Sequence, residues 1–64
     1  MQFRFYFEKL GDHIHVRLFC NGLSGRLVFR ENEWAIFRTL MTCGANANQN
    51  TTVEFIEESN DAGN

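Results

Sequence analysis

The sequence predicts an α+β fold in the order β-β-β-α-β: one mostly antiparallel sheet with a single helix packed on one face. Three observations carry this. Two apolar alternations of period two, Gln2 to Glu8 and His13 to Cys20, flank a Gly-Asp turn. A run with apolar residues at helical spacing, Trp34 to Met41, follows a third and shorter alternation. A last β-favouring segment, residues 51–57, closes the chain after a polar loop.

In the first strand Phe3, Phe5 and Phe7 point one way and Gln2, Arg4, Tyr6 and Glu8 the other. Gly11 and Asp12 are turn formers, and beyond them Ile14, Val16, Leu18 and Cys20 alternate with His13, His15, Arg17 and Phe19. A turn centred on Leu10-Gly11 would pair Phe7 with Ile14, Phe5 with Val16 and Phe3 with Leu18. The same register sets Tyr6 opposite His15, Glu8 opposite His13 and Arg4 opposite Arg17. Residues 21–25, Asn-Gly-Leu-Ser-Gly, form a second turn into a short strand from Arg26 to Phe29, with Leu27 and Phe29 inward.

Glu31-Asn32-Glu33 opens a helix running to Thr42, its acids suiting the positive end of the macrodipole, with Gly44 as the stop. Phe37, Leu40 and Met41 face the core, while Trp34 and Ile36 lie at the margins of the apolar arc. Residues 45–50 are a polar loop. Val53 and Phe55 of the last strand point inward, and that strand pairs beside either the first or the third. Residues 1–58 make one domain, and residues 59–64, without an anchor, fray.

Sixty-four residues allow one small core, and seven Phe, one Trp and one Tyr supply it. A clefted catalytic fold does not fit that length, so the expectation is a non-enzymatic protein without a cofactor. No apolar run is long enough to span a membrane. The net charge of −2 conceals an asymmetry. Residues 1–30 carry Arg4, Lys9, Arg17, Arg26 and Arg30 against Glu8 and Asp12; residues 31–64 carry Arg38 against five glutamates and Asp61. Cys20 and Cys43 match no zinc spacing, and no secretory signal precedes them, so free thiols in a cytoplasmic setting are expected.

One helix covers one side of a sheet, so the other side meets water or a partner. Arg4, Tyr6, His15 and Arg17 form a basic and aromatic patch there, suited to a phosphate, an acidic protein loop or a nucleic-acid backbone. Against this, Glu54 of the last strand can neutralise the arginines and leave the face simply solvated. His13 and His15 stand two apart on one strand, but a metal needs a third ligand and only Glu8 lies near, so no metal is expected. Tyr6 and Phe19 match the stacking aromatics of single-strand-binding sheets, without an accompanying RNP pattern. Phe19, Val28 and Ile56 read equally as an apolar strip for a protein or for a second copy, with Trp34 as an aromatic anchor if it is not core.

His13-Ile-His-Val-Arg-Leu-Phe19, Gly25-Arg-Leu-Val-Phe29 leading to Glu33-Trp34-Ala-Ile-Phe37, and Val53-Glu-Phe-Ile-Glu57 resemble small, uncharacterised phage-encoded proteins. The resemblance covers the greater part of the chain and contains no catalytic or ligand signature. It implies a protein that binds a host protein, including inhibitors of bacterial immunity of the anti-CRISPR type. The reading from the residues is a binding module using Arg4, Tyr6, His15, Arg17, Phe19 and Trp34, as a homodimer; that its partner is a host protein is what the resemblance implies. The alternative is an anionic small molecule or single-stranded nucleic acid at the same patch.

Overall fold

The computed structural model describes residues 1–58; the fraying expected of residues 59–64 lies outside the described residues. Three strands, β1 (Gln2–Leu10), β2 (His13–Cys20) and β3 (Leu23–Arg30), lead into helix α1 (Glu31–Asn46) and strand β4 (Thr52–Glu57). The sheet order is β3-β2-β1-β4. β1/β2 and β2/β3 are antiparallel, and β4 lies parallel beside β1. The α+β class and element order are as the sequence predicts, and the open choice for the last strand falls on β1.

The first hairpin corrects the expected register by two residues. Phe5 pairs with Leu18, Phe7 with Val16 and Phe3 with Cys20. The turn is Gly11-Asp12, because Gly11 takes the left-handed conformation (φ 62°) that a two-residue hairpin demands of its first central residue. Leu10 and His13 become the flanking pair. A slip of two preserves the pleat, so the same side chains still face the helix while every cross-strand partner changes.

The second turn is also shorter than expected. Asn21 (φ 53°) and Gly22 (φ 79°) both occupy the left-handed region, the signature of a type I′ turn, so β3 begins at Leu23 rather than Arg26. Ser24 and Gly25, poor strand formers by themselves, are held extended by their pairing with Phe19 and Leu18.

Strand β3 runs into α1 without a loop. The backbone N–H of Arg30 donates to Glu33 Oε1 at 2.9 Å, and Glu31 and Glu33 place two carboxylates in the first turn. Gly44 does not stop the helix. It keeps a helical φ, and the end comes at Asn46 with Ala47 as C-cap, whose N–H donates to the Cys43 carbonyl at 3.1 Å. Sixteen helical residues span about 24 Å, enough to return the chain across the sheet from the Arg30 end of β3 to the start of β4.

The core consists of Phe5, Ile14, Val16 and Trp34, ringed by half-buried Phe3, Phe7, Leu18, Phe29, Phe37, Met41, Val53 and Phe55. One helix assignment reverses: Leu40, expected in the core, is 65% exposed, whereas Trp34, at the margin of the apolar arc but with core as its stronger reading, is 5% exposed. Trp34, Phe37 and Met41 make one stripe at spacings of three and four, and Leu40 lies about 120° round the helix from Trp34. The indole packs between Phe7 (5.1 Å between ring centroids) and Phe29 (5.5 Å), and edge-on to Phe55 (5.7 Å). Aromatic pairs at these separations add to the burial that holds helix to sheet.

Candidate binding face

The side of the sheet away from α1 carries Arg4, Tyr6 and Glu8 from β1, His13, His15, Arg17 and Phe19 from β2, Arg26 and Val28 from β3, and Glu54 and Ile56 from β4. Five of the six sequence-predicted site residues therefore share one face. The sixth does not. Trp34 lies in the core under the opposite side of the sheet, so it offers no surface anchor.

The two-residue shift rearranges the patch. Arg4 faces Phe19 and Tyr6 faces Arg17, so the expected opposition of Arg4 and Arg17 is not made. Glu8 likewise faces His15 instead of His13, and His13 faces Leu10. The opposed guanidinium pair lies one strand over, where Arg17 faces Arg26. Like charges placed directly opposite cost stability unless something relieves them.

Glu58 gives that relief through Arg17, and a second carboxylate, Glu54, neutralises Arg4. Arg4 Nε lies 3.2 Å from Glu54 Oε1, which also accepts from Gln2 Nε2 at 3.1 Å. Arg17 pairs with Glu58. Glu54 thus neutralises one arginine as anticipated, and Glu58 takes the other, a role that depends on β4 lying beside β1. These pairs are half exposed, where an ion pair contributes little and exchanges readily.

At the centre of the face the Tyr6 and Phe19 rings meet edge-to-face, with centroids 5.6 Å apart. The Arg17 guanidinium carbon sits 5.4 Å from the Tyr6 centroid and 5.8 Å from that of Phe19. Arg4, Tyr6, Arg17 and Phe19 line a shallow depression of about 470 Å³. A guanidinium laid on aromatic faces keeps its charge while losing rotamer freedom, which prepares it for a planar or acidic partner. Ile56 extends this cluster beside Tyr6, whereas Val28 stands beside His15 and apart from it, so Phe19, Val28 and Ile56 do not form one strip.

The charge asymmetry read along the sequence becomes a gradient across this face. Glu8 and Glu54, with Glu58 beyond the end of β4 and Arg4 as the one cation among them, occupy the β4–β1 side, and Arg17, Arg26 and Arg30 the β2–β3 side. Arg26 and Glu58 were absent from the sequence-predicted set. Arg26 was within reach, since the Asn21-Gly22 turn dictates its pairing with Arg17; Glu58 was not, since strand order has no local signal.

Among the described residues no group of three or more His, Cys, Asp or Glu side chains converges to hold a metal, and no helix is long and apolar enough to cross a membrane. Cys20 and Cys43 are free thiols, one half-buried and one exposed. The chain matches no family model, no curated protein and no solved structure.

Proposed function

We propose that the chain is a non-enzymatic binding module that engages a protein partner through the open sheet face. In this reading the partner is a protein of a host cell's cytoplasm, a bacterial immune component being the fitting class for a phage-type inhibitor. The module works as a homodimer. One observation carries the reading: Tyr6, Phe19 and Arg17 form a preassembled, exposed cluster of the residue types that dominate protein-binding hot spots. The ion pairs Arg4–Glu54 and Arg17–Glu58 favour a protein, whose mixed surface can exchange partners with both signs of charge.

The test is capture from host lysate with the wild-type chain and with a Phe19→Ser, Arg17→Glu variant, folding being checked by circular dichroism. A partner retained by the wild type and lost by the folded variant supports the reading; one retained equally by both overturns it.

The facing arginines Arg17 and Arg26 favour a second reading, an anionic small molecule or single-stranded nucleic acid, with Tyr6 and Phe19 as stacking platforms. It requires binding to an oligonucleotide that weakens steeply with salt. A flat titration removes it.

A further inference from the structure

We propose that two copies of the chain pair antiparallel through the free edge of β3, centred on Leu27, so that two four-stranded sheets run on as one. This rests on the reading of the chain as a homodimer and names the surface that joins it.

The helix-side face of the sheet is unfinished at β3. On β2, Val16 is 1% exposed; on β3 its neighbour Leu27 is 37% exposed, and Leu23, at the far end of the strand from the half-buried Phe29, is 75% exposed. A Cβ built at Gly25 would meet nothing within 4 Å. Met1, Phe3, Leu18, Leu23 and Gly25 line an apolar cleft of about 350 Å³ at this end. The cause is the missing loop between β3 and α1. The helix leaves from the Arg30 end of the strand and crosses toward β4, so the Leu23 end stays bare.

The backbone is unfinished there too. With a two-residue turn at Asn21-Gly22, Cys20 and Leu23 form the closing hydrogen-bonded pair. Alternation then turns the N–H and C=O groups of Leu23, Gly25 and Leu27 toward β2 and those of Ser24, Arg26 and Val28 outward. The other edge is defended: β4 is shorter and carries Glu54 and Glu57, which self-pairing would crowd.

Charge excludes two registers, and the position of the second helix favours the one centred on Leu27. Centred on Arg26, the strand would oppose Arg26 to its own copy; centred on Val28, it would oppose Arg26 to Arg30. Centred on Leu27, Arg26 faces Val28, Ser24 faces Arg30 and Leu27 meets Leu27, so no guanidinium directly opposes another. In this register the outward backbone groups of Arg26 and Val28 form hydrogen-bonded pairs, and the two Leu27 residues form a close non-hydrogen-bonded one. The two-fold axis also places the second copy's Arg30 beside Ser24, so the second helix rises next to Leu23. The bare end of each sheet then lies between two helices that carry exposed Ile36 and Leu40. A second copy therefore supplies both the strand and the wall, which an isolated foreign strand does not.

The test uses a Cys20→Ser, Cys43→Ser chain carrying Leu27→Cys. The Cα separation of a non-hydrogen-bonded pair fits a disulfide, so oxidation is expected to give a covalent dimer, while Gly25→Cys in the same background stays uncrosslinked. Light scattering of the wild type is expected to give twice the 7.5-kDa chain mass. Val28→Pro, which removes an outward N–H and spares the ladder to β2, is expected to give the monomer. A wild type that stays monomeric at every concentration overturns the homodimer reading and the interface together. A wild-type dimer without the Leu27→Cys crosslink overturns the β3 interface alone. Should Val28→Pro fail to fold, the crosslink decides.

Discussion

The guanidinium carbon of Arg38 lies 4.8 Å from the centre of the Phe55 ring and 5.2 Å from that of Phe7. An exposed helix residue thereby closes the aromatic core where β1 and β4 meet, its guanidinium laid over the rings. Arg38→Ala is expected to lower stability by about 1 kcal/mol through the lost cation–π contact. Arg38→Lys should retain part of this. Urea denaturation followed by circular dichroism measures both; equal stability of Arg38→Ala and wild type would show the contact to be energetically empty.

Trp34 is buried, and its Nε1 donor has no hydrogen-bond partner. Trp34→Phe therefore breaks no hydrogen bond and should cost much less than Trp34→Ala, for which about 3–5 kcal/mol is expected. The larger loss approaches the whole stability of a small domain. Thermal unfolding by circular dichroism ranks the two variants, and a Phe variant as damaged as the Ala variant would contradict the packing described.

Two glycines are expected to respond with opposite signs. At Gly44 the φ is helical and an added Cβ meets nothing, so Gly44→Ala should raise stability by about 0.5–1 kcal/mol. Gly22 sits at φ 79°, where any Cβ is strained, and Gly22→Ala should lower stability by about 1–2 kcal/mol. In a domain this small each kcal/mol moves Tm by roughly 4–8 °C.

Lys9 lies 2.7 Å from Glu31 Oε2, tying the end of β1 to the start of α1. The hydrogen bond to Glu31, and then its charge, raise the Lys9 pKa above the ordinary 10.5. A raised lysine pKa means that the folded state holds the proton more tightly. Its stabilisation is full below pH 10.5 and disappears as pH rises through the folded value. Lys9→Met should therefore be the less stable chain at pH 7, with the gap to wild type closing in strongly alkaline buffer. The pair is exposed, so salt should shrink the gap as well.

The legible and illegible parts of the fold divide by range. Alternation in β1 and β2 sorted side chains to the right faces, because the pleat is a property of one strand. The pairing of Phe5 with Leu18 instead of Val16 turned on which residue took the left-handed conformation, a matter of two turn residues. The helix start was legible in Glu31 and Glu33; its end was not, since Gly44 is compatible with either a stop or an interior position.

On the candidate face, Arg4, Tyr6, His15, Arg17 and Phe19 could be collected from sequence because strand parity alone groups them. Which arginine meets which partner could not. Arg4 finds Glu54 and Arg17 finds Glu58 only because β4 lies parallel beside β1, a placement made by α1 crossing the sheet.

By itself, the sequence determined a four-stranded α+β protein with one open face, since local periodicity and turn chemistry act over a few residues. Tertiary structure decided that Trp34 is core and Leu40 is surface, that the arginines are paired, and that the apolar face is left bare at β3. Each of these depends on the angle at which one helix crosses four strands, and no window along the chain contains both sides of that contact.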